Sequence, residues 1–353
     1  MQRPEDVVEA VLRGWLPEAP CITPETRITA FGSCFAANIS SWLHRRNFRV
    51  LNKDEDASGA YVVSMGEGMV NSFVIRQQFE WAWENKVFDQ PLWHGYKAED
   101  FGHDEDVRLE TRRIFDETDL FVLTFGLSEV WYDEPTGNVF WRTVPKQVHD
   151  PCRHKFRVST VAENLENMCA IYDLIRKHRP DARMIFTLSP IPLIATFRDV
   201  SCVSANSVSK SVLRVAMDEL MRETKDDAHL FYWPSYELIT DVFRQPLKAD
   251  NRHVEKRCLD FVMTLFEQSW CVGGIAEKPS LTEAWAMACA VSGHLPRRLE
   301  AIVQKRNLPA LDRMMNRADL DPDPQVAKAK IGLLKEVKQQ WSESGHAAAA
   351  TGD

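Results

Sequence analysis

The chain has 353 residues, 44% hydrophobic and 10% aromatic, enough to build a sizeable core as one large α/β domain with an appendage or as two modest domains. A net charge of −8 argues against a broad phosphate-binding surface, and so against nucleic acid as a partner. No apolar run approaches the roughly 20 residues that span a bilayer, and the opening residues mix acids and arginines with apolar residues, so neither a membrane span nor a secretory segment is expected.

In chain order, residues 1–25 read as a short helix and a proline-containing lead-in. Arg27–Phe31 is a first core strand, and Ala36–Arg46 a helix with Ile39, Trp42 and Leu43 on one face. Phe48–Leu51 reads as a second short strand, followed by a polar turn over residues 53–58. A glycine-bearing loop, 64–71, leads into an apolar helix over Phe73–Trp83. Residues 97–113 are charged and read as exposed. Leu120–Phe125 is the most apolar strand and ends in Gly126-Leu127-Ser128-Glu129. The turn Pro135-Thr136-Gly137-Asn138 predicts a small hairpin within 131–144. A long helix from Ser159 to His178 closes at Pro180. A strand over 182–188, a helix over 204–223 and a strand over 230–233 follow, then Asp250-Asn251-Arg252-His253 and a helix to about residue 268. Strands alternating with helices imply a mostly parallel sheet covered on both faces. Beyond residue 275 the chain reads as helices (281–291, 297–305 and 325–340) around an acidic break at 319–324, with an alanine-rich tail from residue 346. The domains expected are thus a lead-in over 1–25, a main domain over 26–274, a helical extension over 275–345 and a disordered tail over 346–353.

Eight cysteines are scattered without a CxxC pair, which reads as reduced thiols in a cytoplasmic protein. Cys34 differs from the others because it follows a strand and opens a helix. Such a turn exposes a nucleophile at the sheet edge and places it where a helix N-terminus favours negative charge. From the residues alone, Ser33 and Cys34 are both candidates. Three segments fall at the C-terminal ends of apolar strands, the edge where open α/β sheets bind ligands: Gly32–Cys34, Gly126–Glu129 and the segment with Asp250 and His253. A nucleophile, a glycine-led loop donating to an oxyanion, and an Asp-x-x-His dyad make up an acyl-transfer site. Lys210 and Arg214 lie four apart on one helix and read as a solvated face or an anion-binding pair. His149, Cys152 and His154 fit no closed tetrahedral metal set. Trp81, Trp83, Trp93, Trp131 and Trp141 read as core.

Gly32-Ser33-Cys34-Phe35-Ala36 is the literal signature of the GSCFA family, which is similar to the SGNH/GDSL hydrolases. Ser189-Pro190-Ile191-Pro192, Ser209-Lys210-Ser211-Val212-Leu213-Arg214, Pro234-Ser235-Tyr236-Glu237 and Asp250-x-x-His253 follow in the order that family shows. The resemblance covers about residues 26–268. It implies a three-layer α/β/α, SGNH-hydrolase-like (flavodoxin-like), mostly parallel sheet, with the C-terminal helices as an extension. It also implies an acyl-ester hydrolase or acyltransferase acting on a small molecule, a carbohydrate or a glycan precursor. Aligned with the Phe-Gly-Asp-Ser pattern of SGNH enzymes, Cys34 stands at the nucleophile and Ser33 at the Asp. Gly126–Glu129 stands where those enzymes carry Gly-x-Asn-Asp, so Ser128 takes the place of the oxyanion Asn. The Gly66–Asn71 loop, with Gly68 and Asn71, offers the middle glycine. His253 looks like the general base and Asp250 its orienting carboxylate, with Val254 where the family usually has proline. A thiol nucleophile suits transfer from an acyl-thioester donor such as acyl-CoA, no other cofactor being implied. The alternative is a non-catalytic binding protein on a degenerate scaffold, engaging a protein partner or a second copy through its C-terminal helices.

Overall fold

The computed structural model describes residues 3–53, 60–64, 68–88, 92–93, 104–273, 280–289, 295–317 and 324–350. Gly66, residues 97–103, the expected boundary near 275 and residues 319–323 lie outside them. Two compact units account for the chain. The first comprises Cys21–Tyr236 and Val272–Ile275; the second comprises Met1–Pro20, Glu237–Cys271 and Ala276–Asp353.

The first unit is built on four parallel strands in the order β1-β2-β5-β6. These are β1 (Ile28–Phe31), β2 (Leu120–Phe125), β5 (Arg183–Leu188) and β6 (Leu230–Trp233). Every residue of β1 and β2 is buried, which is why both read as continuous apolar runs rather than alternating ones. The crossing segments supply α2 (Cys34–His44), the short α3 (Tyr61–Ser64), α4 (Ser72–Glu84), α5 (Glu105–Glu117), α6 (Val161–His178) and α7 (Cys202–Glu223). Helix α2 packs on β1 and β2, α7 on β5 and β6, and α6 bridges α4 and α7. This is the expected three-layer α/β/α architecture.

The expected strand at 48–51 is reduced to one parallel bridge, Val50 to Ile28, before a 3₁₀ turn at Leu51–Lys53. The side chain of Asn52 replaces the rest of the ladder, donating from Nδ2 to the Ala30 carbonyl at 2.8 Å. The bridge lies on the side of β1 away from β2. The chain therefore leaves β1 in one direction to reach Val50 and in the other to reach β2. With right-handed crossovers this reversal sends the intervening helices to opposite faces and makes the β1–β2 boundary the switch point of the sheet.

The predicted hairpin forms as a short one: the Gly137 N–H donates to Asp133 O at 2.7 Å, Val139 bridges Tyr132, and the Asp133 and Phe140 N–H groups donate to Asn138 O and Trp131 O, both at 2.9 Å. The ladder partner of β3 (Glu129–Asp133) is β4 (His154–Val158). Beyond Phe140 the chain leaves β3: the buried Trp141 donates its N–H to Leu92 O, and Gln77 Nε2 donates to Val139 O. The charged stretch is mostly exposed, as expected, over its described residues 104–113. Asp104 caps α5, and Arg108, Thr111, Ile114 and Phe115 are buried. Phe115 joins Phe31, Phe79 and Phe121 in a ring cluster with centroids 4.6–5.9 Å apart.

The second unit holds α1 (Pro4–Val7) and, from Glu237 onward, most of α8 (Ser235–Val242), together with α9 (Lys256–Trp270), α10 (Leu281–Cys289), α11 (Leu295–Gln304), α12 (Leu308–Met315) and α13 (Pro324–Ala350). Phe243, Phe261 and Trp285 form its aromatic centre, and α10 packs on both α9 and α13. Helix α12 was not expected from the sequence. No helix among the described residues is long and apolar enough to cross a membrane.

Among the described glycines, Gly32 approaches a neighbouring backbone most tightly. Its φ is +128°, and a Cβ there would sit 2.1 Å from the Thr124 carbonyl oxygen of β2. Gly32→Ala combines left-handed strain with a clash against backbone, and is expected to cost about 3 kcal/mol or more in urea unfolding. A loss below about 1 kcal/mol would show that the turn relaxes away from β2.

Candidate active site

The Gly32 turn delivers the chain directly into α2. Ser33 is extended (φ −107°, ψ 171°) and is the N-cap. Its Oγ accepts the Phe35 N–H at 3.1 Å, its carbonyl accepts the Ala36 N–H at 2.9 Å, and it is buried. Cys34 is the first helical residue and is partly exposed. The two neighbouring candidates thus differ in surroundings. The serine oxygen satisfies one of the otherwise orphaned amides of the helix. The cysteine lies in the first turn, where the partial positive charge of the helix favours an anion.

Beside it, at the end of β2, the Gly126 and Leu127 N–H groups both donate to the Val70 carbonyl, at 2.7 and 3.3 Å. Ser128 is fully buried. Its N–H donates to Ser209 Oγ at 2.7 Å, its Oγ lies 3.3 Å from the same oxygen, and its carbonyl accepts from both the N–H and the Oγ of Ser159. The backbone and hydroxyl groups proposed as oxyanion donors at Gly126 and Ser128 are therefore engaged in joining the end of β2 to the loop before α4, to α7 and to the loop before α6. Asn71 also has a structural bond, capping α4 by accepting the Val74 N–H at 3.0 Å. Gly68 is buried against Trp141, where a Cβ would meet the indole nitrogen at 3.0 Å.

Several residues that the sequence reading passed over complete this edge. Ser72 Oγ donates to Asn164 Oδ1 and accepts from Asn167 Nδ2, while Asn164 Nδ2 donates to Ser159 Oγ. A continuous chain of hydrogen bonds so links α4, α6, Ser128 and Ser209. The buried Glu129 accepts from Thr196 Oγ1 at 2.9 Å and holds the loop after β5. Ser209 lies inside a motif already singled out; Asn164 and Glu129 have no local signal, since their partners are distant in sequence.

Lys210 departs from the solvated face the spacing suggested. It is 2% exposed, and its Nζ donates to the carbonyls of Gly126, Ser189 and Ile191 at 2.7–2.8 Å. Three ammonium hydrogens meet three acceptors, which leaves none for an external anion. Arg214 lies over the Tyr232 ring at 4.5 Å and pairs with Asp218 at 3.5 Å.

In the second unit, Asp250 and His253 form the dyad that their spacing predicted. Asp250 Oδ1 accepts the N–H groups of Arg252 and His253, both at 3.0 Å, and Oδ2 lies 2.6 Å from His253 Nδ1. The loop is closed by Lys248 N–H to His253 O and by Glu255 N–H to Pro246 O, each 2.7 Å. The His253 contact, followed by the two backbone donors, holds the Asp250 carboxyl well below the usual carboxylate range. A carboxylate at Nδ1 fixes the proton there and leaves Nε2 as the basic nitrogen. Both side chains are about half exposed.

Ser33→Ala removes the cap and is expected to lower stability by about 1 kcal/mol in chemical denaturation. Asn71→Ala should lose a similar amount for the same reason at α4. A Ser33→Ala protein as stable as wild type would mean that the capping bond contributes nothing to α2.

No curated protein matches the chain. A family model described as the GSCFA family matches residues 27–266, more than half of the sequence, and the chain belongs to that family.

Proposed function

We propose that the protein is an acyl-ester hydrolase or O-acyltransferase with Cys34 as its nucleophile. The observation that carries this reading is the division of labour at the start of α2: Ser33 is spent on the cap, and Cys34 stands partly exposed at the switch point of a parallel sheet. In this reading His253, oriented by Asp250, is the general base. The Cys34 sulfur attacks the acyl carbonyl, a carbon–sulfur bond forms, and the carbonyl oxygen takes up negative charge near the Cys34 and Gly68 amides. Collapse of the intermediate breaks the bond to the leaving oxygen of an ester, or to the leaving sulfur of an acyl-thioester donor, and that atom takes its proton from the His253 imidazolium. Water or an acceptor hydroxyl then attacks the thioester, giving its proton to His253 and restoring the thiol. A thioester intermediate suits transfer from an acyl-thioester donor such as acyl-CoA to a carbohydrate or other hydroxyl acceptor in a cytoplasmic setting.

A second reading, a binding protein on the same scaffold, is favoured by the engagement of the Gly126 and Ser128 donors within the fold. Intact-mass labelling with an activated acyl ester separates the two. Wild type and Ser33→Ala should gain one acyl mass, Cys34→Ala none, and His253→Ala should label at least about a hundredfold more slowly, as expected for loss of a general base. Equal labelling of all four proteins removes Cys34 as nucleophile and leaves the binding reading.

A further inference from the structure

Among the described residues of the first unit, Lys210 is the one buried cation whose hydrogen bonds all go to main-chain oxygen. The three carbonyls it meets come from the end of β2 (Gly126) and from the loop leaving β5 (Ser189 and Ile191). The three carbonyl oxygens meet at Lys210 Nζ, and the Gly126 carbonyl lies two residues beyond Thr124, where Gly32 has brought the turn of β1 against β2. Left alone, three inward carbonyl oxygens would make this edge electronegative and hostile to a thiolate or an oxyanion. An ammonium at their focus reverses the sign. Burying it is costly without a countercharge, and no carboxylate pairs with it among the described residues. On its own helix, Asn206 is occupied with the Leu193 N–H, and Arg214 is turned to Asp218 and Tyr232. Cys34 follows Gly32 by two residues, and Gly32 lies against Thr124, two residues before the Gly126 carbonyl that Lys210 meets, so the thiol and the ammonium belong to the same sheet edge.

We infer that Lys210 is a positioning residue of the Cys34 site: it ties the ends of β2 and β5 together and, through space, favours negative charge on the Cys34 sulfur and on the oxyanion formed there. The inference rests on the reading of Cys34 as nucleophile, but it concerns the charge state of the thiol and does not require turnover. Burial pushes the Lys210 pKa down to about 7, and negative charge on Cys34 acts in the opposite direction. The pair is therefore reciprocal: the thiolate keeps the lysine charged, and the charged lysine favours the thiolate.

The test is iodoacetamide alkylation of the full chain across pH, read by peptide mass, with the exposed Cys152 as an internal reference. In wild type, Cys34 should reach half-maximal rate at least one pH unit below Cys152. In Lys210→Met the Cys34 rate at pH 7 should fall about tenfold or more while that of Cys152 is unchanged. Equal midpoints for the two cysteines in wild type overturn the inference without any variant, as does an unaltered Cys34 profile in folded Lys210→Met. Because the methionine leaves three carbonyls without a donor, Cys34→Ser provides a second measurement with Lys210 in place. The ¹⁵N resonance of the Lys210 ammonium should disappear about one pH unit lower in Cys34→Ser than in wild type, and identical behaviour in the two proteins overturns the inference. A Lys210-dependent thiolate in a protein that takes no acyl label would retain this inference and discard the acyl-transfer reading; acyl labelling with an ordinary thiol profile would do the reverse.

Discussion

A residue without a side chain decides how β1 ends. Gly32 lies so close to the β2 backbone that any Cβ would overlap the Thr124 carbonyl, and its positive φ turns the chain at once into α2. Everything at the candidate site follows from that approach. Ser33 arrives in the extended geometry of an N-cap, Cys34 becomes the first residue of a helix, and both are held one strand away from Gly126. A looser turn would leave the same residues in sequence but would dissolve their relation to β2, to the positive end of α2 and to Lys210.

Around this turn the sheet edge is organised by polar bonds rather than by apolar contact. The strands below are dry: β1 and β2 are buried throughout, and a cluster of phenylalanines fills the layer next to them. At the edge, backbone groups run out of ladder partners and must be satisfied in other ways. Val70 takes the amides of Gly126 and Leu127, Ser209 takes that of Ser128, and Lys210 supplies the carbonyls of Gly126, Ser189 and Ile191. Buried polar networks of this kind are stable only when nearly every member is paired, and they then fix a single geometry. That rigidity is what a site for acyl chemistry needs, because a misplaced oxyanion donor loses most of its effect.

The second candidate element is of a different kind. Asp250 and His253 are joined within one short loop, closed by its own backbone bonds and exposed to solvent. Their relation needs no distant partner, so four residues suffice to specify it. It belongs to the unit that also holds the terminal helices, whereas Cys34 belongs to the unit of the parallel sheet. The two halves of the proposed chemistry are thus built by different means, one by long-range packing and one by local turn geometry.

The same distinction separates what the sequence by itself determined from what the tertiary structure decided. Continuous apolar runs, helical periodicity and the order of five motifs were enough for the family, the parallel sheet and most helices, because each depends on residues close in the chain. The Asp250–His253 contact was legible for the same reason. The fates of Ser33, Ser128 and Lys210 were not. A serine beside a cysteine does not reveal which one caps a helix until the turn angle is known. The spacing of Lys210 and Arg214 suggested a solvated face because the carbonyls that bury Lys210 come from segments just after β2 and β5, 19 to 84 residues away. The longer ladder of β3 with β4 was not foreseen because β4 lies beyond the local turn, whose own hairpin is a single bridge. Local rules choose elements; competition for burial and for hydrogen-bond partners, settled only when the chain is folded, chooses which side chains are left to do chemistry.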